Sequence, residues 1–184
     1  YGEDRLAVVD LTQPTAAPLL VDVGPGVVGF GAPSYGPYAA QLSPDGAWVT
    51  VSNTVSKDVR FFEVATGAFD STRTVSMASI GAGAPFFAAF TSDGKMIMPT
   101  QQPDALVTID LSGVDPPETR SFSPSECVLP HEVMVDEGSV FVVCEGDKKA
   151  NGSVVMLDAA LAVVTKTEVG VYPDSIRLRT GGAP

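Results

Sequence analysis

Apolar and polar residues alternate in short runs along this chain, and no stretch sustains the 3.6-residue spacing of an amphipathic helix. Runs such as Trp48-Val49-Thr50-Val51-Ser52-Asn53 and Val140-Phe141-Val142-Val143-Cys144-Glu145 are rich in β-branched and aromatic residues, and Gly, Pro, Asn and Asp bound them. That pattern predicts many short strands joined by tight turns, with helices nearly absent.

The pattern also repeats. Segments opening at Pro37, Pro85, Pro130 and Pro173 each run through a short apolar stretch to a glycine turn, at Gly46, Gly94, Gly138 and Gly181. The intervals between the prolines are 48, 45 and 43 residues. A second strand follows each of the first three turns: Trp48 to Asn53, Met96 to Gln101 and Val140 to Glu145. A third matches across Leu6 to Asp10, Val59 to Glu63, Leu106 to Asp110 and Val154 to Asp158. A fourth, more variable strand is predicted at Leu19 to Val23, Ser71 to Met77, Glu118 to Phe122 and Ala162 to Val169. Four antiparallel strands per unit of roughly 40–50 residues is the pattern of a β-propeller blade.

The fold class predicted is therefore all-β, with blades of four antiparallel strands. Residues 1–36 supply the two outer strands of a blade; 37–84, 85–129 and 130–172 are full blades; 173–184 supply the innermost strand of the next. An open arc would leave sheet edges and blade faces uncovered, and ring closure is how propellers remove them. The expectation is an incomplete arc of a larger propeller of about six to eight blades. The remainder would come from the same polypeptide or a second chain. The alternative is a compact four-bladed ring closed by the two termini.

Ser43-Pro44-Asp45-Gly46 followed by Val49-Thr50-Val51-Ser52-Asn53 resembles the blade motif of the YVTN-type propellers, and Asp104 to Asp110 resembles their third strand. The resemblance covers nearly the whole chain; the marks of WD40 blades are missing. Pro99 departs from it and implies a local break in pairing or an edge position. The resembled family includes surface and secreted binding proteins, lactonase-like hydrolases and propeller domains of periplasmic redox enzymes. It therefore implies a fold and selects no single activity.

The chain carries 22 acidic and 11 basic residues, a formal charge of −11. Such a surface repels phosphate backbones, so nucleic acid is not an expected partner. No run has the length of a membrane-spanning helix, and the first residues, Tyr1-Gly2-Glu3-Asp4, do not read as a signal peptide. Cys127 and Cys144 are the only cysteines. Cys127 precedes one strand and Cys144 ends its antiparallel neighbour, which brings them together and predicts a disulfide. Two buried thiols or a redox pair are the alternatives. A disulfide would place the chain outside the cytoplasm: periplasmic, cell-surface or secreted.

In a propeller the innermost strands line the central channel, and the residue after each blade-opening proline lies at its mouth. Here those residues are Tyr38, Phe86, His131 and Asp174, with Asn53, Gln101 and Glu145 at the second-strand ends as a neighbouring ring. His131 is the only histidine; with Glu132, Glu145 and Asp174 it offers part of a metal site or an acid–base pair. The plainer reading is a hydrogen-bonded loop histidine, since zinc and copper sites normally use more than one His or Cys. No cofactor is expected, and a divalent metal only at His131, Glu145 and Asp174. Asn151-Gly152-Ser153 reads as a turn rather than a glycosylation site. No Gly-x-Ser-x-Gly elbow, phosphate loop or His-Glu-x-x-His occurs.

Two functions follow. The first is an extracytoplasmic binding or scaffold module meeting a protein or small ligand at the channel face. The second is a catalytic propeller domain, lactonase-like or a metal or redox enzyme, with its site near His131. Aromatic filling of the channel with His131 satisfied by backbone would favour the first.

Overall fold

The structure, a computed structural model, describes residues 4–13, 15–24 and 35–177. They fall in two compact units, Tyr1–Met77 and Ala78–Pro184. Among the described residues the only helical turn is a three-residue 3-10 segment, Ala78–Ile80, and no helix is long and apolar enough to cross a membrane.

In the first unit, β1 (Arg5–Val8) and β2 (Leu19–Asp22) form an antiparallel pair. A four-stranded antiparallel sheet follows, in the order β3 (Pro37–Leu42), β4 (Trp48–Asn53), β5 (Asp58–Glu63), β6 (Ala68–Ser76). The β3–β4 turn is built by its own side chains: the Ser43 hydroxyl accepts from Trp48 N–H at 3.0 Å and Asp45 accepts from Ala47 N–H at 3.0 Å. Gly46 takes φ +71° there, a left-handed conformation that costs glycine little. Val51, Val59 and Phe61 are buried on the middle strands, whereas β6 is largely exposed, as an outer strand should be.

The second unit holds two sheets. The first pairs β9 (Lys95–Gln101) with β10 (Ala105–Asp110) and β10 with β11 (Glu118–Ser121). Its innermost element is split into β7 (Ala84–Pro85) and β8 (Ala89–Phe90), both on β9. The second sheet runs β12 (Pro130–Asp136), β13 (Ser139–Cys144), β14 (Asn151–Leu157), β15 (Val163–Val171), all antiparallel. Ile97, Leu106 and Phe122 of the first sheet pack with Val133, Val142, Val155 and Leu157 of the second in one buried cluster, the face-to-face packing that holds blades together.

The split between β7 and β8 explains both the broken inner strand and Pro99. Pro99 has no N–H to give the inner strand, and the ladder is interrupted there; only its carbonyl accepts, from Phe86 N–H at 3.0 Å. Freed from that ladder, Phe87 bridges in parallel to Glu132 of the next sheet, with Phe87 N–H donating to His131 O and Val133 N–H to Phe87 O, each at 3.2 Å. The expected continuous strand from Pro85 is thus two short pieces joined by an inter-sheet bridge.

Cys127 and Cys144 form the disulfide, with Cα atoms 5.5 Å apart, inside the buried cluster. One expectation is corrected. Asn151-Gly152 is not a turn: it opens β14, and the turn lies at Gly146–Ala150, where Gly146 and Lys148 have positive φ. Gly152 is glycine for space, since a Cβ there would sit 2.5 Å from both the Cys144 carbonyl oxygen and Pro173 Cδ. Of the innermost strand expected over 173–184, Pro173–Arg177 are described and carry no ladder pairing within this chain, and 178–184 lie outside the described residues.

Candidate functional site

Six of the eight residues singled out at the channel mouth lie in the second unit, and the structure gathers them at one end of its sheets. His131 follows Pro130 and sits where the β12–β13 register slips by one: Pro130 pairs with Cys144 and Glu132 with Val143. It is the extra residue of a β-bulge, which turns a side chain out of the strand's alternation. Tyr38 occupies the same bulge position in β3, between Pro37, paired with Asn53, and Ala39, paired with Ser52. For Tyr38 and His131 the sequence equivalence of the post-proline positions is therefore a conformational one.

The His131 imidazole is 2 % exposed. Phe86 and Phe87 pack on it, with centroid separations of 5.1 and 5.5 Å. Its Nδ1 lies 2.9 Å from the backbone carbonyl oxygen of Asp174. A carbonyl only accepts, so Nδ1 carries the proton and donates; the neutral ring then has its lone pair on Nε2. Nε2 faces Glu145 Oε1 at 3.8 Å, and Asp174 Oδ1 lies 3.5 Å from Nδ1. One donor atom from each of His131, Glu145 and Asp174 lies within 4.8 Å of the others.

Glu145 is 1 % exposed and directly follows β13. Its N–H donates to Leu129 O at 3.0 Å, fixing it beside the loop that leads into β12. Burying a carboxylate is costly unless it is compensated. The compensation comes from Lys148 Nζ, 2.9 Å from Oε2 in an ionic contact that is not an aligned hydrogen bond. Lys148 also lies over the Tyr172 ring and donates to its hydroxyl at 3.4 Å. Glu145 first, and Tyr172 second, hold the Lys148 ammonium above the ordinary lysine range.

Glu132 points to the same end but does other work. Its carboxylate accepts from Ile176 N–H at 2.8 Å and from Arg177 Nη1 at 2.5 Å. Neighbours in sequence, His131 and Glu132 thus hold the backbone of the 174–177 segment at two points. Gln101, ending β9, donates to Pro130 O at 3.2 Å and ties the first sheet to the start of β12. Asp174, with its side chain 68 % exposed, and Arg177 form a charged rim over the buried pair.

Tyr38 and Asn53 belong to the first unit. Tyr38 is 46 % exposed, and buried Asn53 donates from Nδ2 to Asp58 at 2.7 Å, closing its own hairpin. Sequence reasoning missed Lys148 and Arg177. Lys148 was legible only as a cation three residues after Glu145 in a loop; Arg177 had no signal. A cavity of about 430 Å³ opens at the opposite strand ends, between Thr91–Lys95 and Ala159–Leu161, and none of the predicted site residues lines it.

Comparison with known proteins gives the fold its context. No protein-family model matches the chain, and no curated protein does. Solved structures do. Hydrazine synthase of Kuenenia stuttgartiensis aligns with a TM-score of 0.70 at 16 % identity, over 91 % of this chain and 44 % of its own. Dihydro-heme d1 dehydrogenase NirN aligns at 0.62 and 16 % identity, over 91 % of this chain and 34 % of its own. A 6-phosphogluconolactonase-like protein from Bacteroides uniformis aligns at 0.59 and 14 % identity, over 91 % and 49 %. The chain spans less than half the length of each of these three, and at such identities the likeness establishes a propeller-type all-β fold alone.

Proposed function

We propose that this chain is the blade-bearing part of an extracytoplasmic propeller that acts as a binding module rather than as an enzyme. Its ligand or protein partner would be met at the blade end carrying His131, Glu145 and Asp174. One observation carries the reading: the only imidazole is buried beneath Phe86 and Phe87 and committed through Nδ1 to the backbone of Asp174. A general base must come within about 2.6–3.2 Å of a substrate proton. A ring enclosed in this way serves the architecture instead, while Asp174, Lys148 and Arg177 offer exposed charge to a partner.

The disulfide supports an oxidising compartment. The greater length of the matched propellers supports further blades, on the same polypeptide or on a second chain. The catalytic alternative, lactonase-like or redox, rests on the facing of His131 Nε2 and Glu145 Oε1.

The test is turnover of simple lactones, followed by proton release, for the unaltered protein and for His131→Gln. The binding reading expects the uncatalysed rate from both. A rate above background that disappears in His131→Gln would establish the catalytic alternative.

A further inference from the structure

The outermost strands of the second unit differ in what guards their free edges. Propellers ordinarily leave only short, protected edges, because a long exposed one pairs with another chain. β11 follows that rule: it has four residues, and its Arg120 is held by Glu126 at 2.6 Å. β15 does not. It runs nine residues, Val163-Val164-Thr165-Lys166-Thr167-Glu168-Val169-Gly170-Val171, and all but Val169 are exposed. Its neighbour in the sheet is β14, and β15 ends the strand order. Val163, Val164 and Val171 are 40, 57 and 55 % exposed, on a strand rich in β-branched residues.

We propose that this edge pairs antiparallel with the same edge of a second copy of the chain, about a two-fold axis through Thr167. The inference is independent of the binding reading of the His131 end. The strand's own sequence carries it. In an antiparallel ladder the backbone groups of successive residues point alternately toward and away from a given neighbour. A strand facing its own copy therefore matches only residues an even number apart. Centred on Thr167, that register sets Lys166 opposite Glu168 of the second copy, and Glu168 opposite its Lys166. Thr165 meets Val169, and Thr167 meets itself. Two opposite-charge pairs then lie on one face, each a favourable cross-strand pair. A lysine on an edge strand usually discourages pairing; here the second copy supplies its counter-charge. β6 also has nine residues, but its charges, Asp70 and Arg73, are three apart and lie on opposite faces, so no such register opposes them. β11 has the favourable spacing in Glu118 and Arg120, but it is short and Arg120 is committed to Glu126.

Lys166 and Glu168 lie on the sheet face that carries Val155 and Ser153, the residues they pair with on β14. Lys166 Nζ donates to Ser125 O at 2.9 Å, which holds the ammonium beside the strand and leaves two of its three N–H groups for a carboxylate. The ladder on β14 is regular over 165–168 and shifts register toward both ends, so the self-paired stretch is short. A contact of that size buries less than about 1,200 Å² and belongs with weak, reversible interfaces. A chain of formal charge −11 also repels its copy until salt screens it. The dimer is therefore expected at high protein concentration and physiological salt.

Sedimentation equilibrium of the full chain over a range of concentrations, at about 0.15 M salt, measures it. The proposal expects a reversible monomer–dimer equilibrium. Lys166→Glu and Glu168→Lys each set like charges opposite one another twice and should weaken the dimer about tenfold or more. The two single variants, mixed, should associate with each other, because every facing pair then has opposite signs. The double exchange, Lys166→Glu with Glu168→Lys, should restore self-association. Loss of the Ser125 contact alone would be rescued by neither. Hydrogen exchange of the parent needs no variant: alternate amides between Thr165 and Val169 should gain protection as concentration rises, and those of β11 should not. A monomer at every concentration, a dimer indifferent to the single reversals, reversals that neither mixing nor the double exchange rescues, or protection gained away from β15 would each overturn the proposal.

Discussion

Opening the Cys127–Cys144 bond removes a constraint whose size follows from the chain it closes. The bridge joins positions 17 apart in sequence and so encloses an 18-residue segment, and both cysteines lie in the buried cluster with Val133, Val142 and Val155. Loop-closure entropy for a segment of that length corresponds to about 3 kcal/mol at room temperature. For a chain of this size that is a fall in Tm of roughly 6–12 °C. The substitution to use is Cys127→Ala with Cys144→Ala, because reduction alone leaves two thiols able to re-form the bond. The two small cavities made by the alanines add to the loss. Thermal and urea unfolding, followed by far-ultraviolet circular dichroism, read the change. The loss should be greatest in amide protection of β12 and β13. The reasoning is refuted if the denatured, unreduced protein titrates two free thiols, or if the double variant unfolds at the temperature of the parent.

Other perturbations test separate contacts. Glu132→Ala leaves Ile176 N–H and Arg177 without their carboxylate, a loss of about 1.5–3 kcal/mol for bonds to a charged group; hydrogen exchange at Ile176 should accelerate tenfold or more while β14 is unchanged. Gly152→Ala forces a Cβ against the Cys144 carbonyl and Pro173 and should cost about 1–3 kcal/mol, whereas Gly170→Ala, with nothing within 4 Å, should be nearly neutral in the same melt. Ser123 N–H and hydroxyl, with Arg120, hold Glu126 down to about 2. A carboxylate depressed in the folded state stabilises above its ordinary value of 4.5 and loses that contribution as pH falls towards about 2. Acid titration should therefore show the parent losing its advantage over Glu126→Gln in that window, and an advantage that persists below it would contradict the assignment.

The strand repeat was legible because it rests on local chemistry. The Ser43–Gly46 turn is written in side chains that bond to their own backbone, and apolar residues of the runs, Val51, Val59, Phe61, Met96, Ile97, Leu106 and Ile109 among them, are buried, although β4 also buries Thr50, Ser52 and Asn53. The disulfide was legible because antiparallel neighbours bring the start of one strand to the end of the next. What the sequence hid depends on contacts between sheets. Nothing local shows that Phe87 leaves its own ladder for Glu132, or that Gly152 is small because Pro173 returns against it. The convergence of His131, Glu145 and Asp174 was foreseen from equivalent positions in the repeat. Their roles were not, because Lys148 and Arg177 come from a turn and from a segment that no repeat pattern constrains.

His131 is the only histidine, so its imidazole gives a single, unambiguous set of nitrogen signals. A long-range ¹H–¹⁵N correlation of the ring in metal-free protein, at a pH where it is neutral, tests the architectural role most directly. The account predicts one fixed tautomer with the proton on Nδ1, shared with the Asp174 carbonyl. A proton on Nε2, or the averaged signals of a freely exchanging ring, would contradict it.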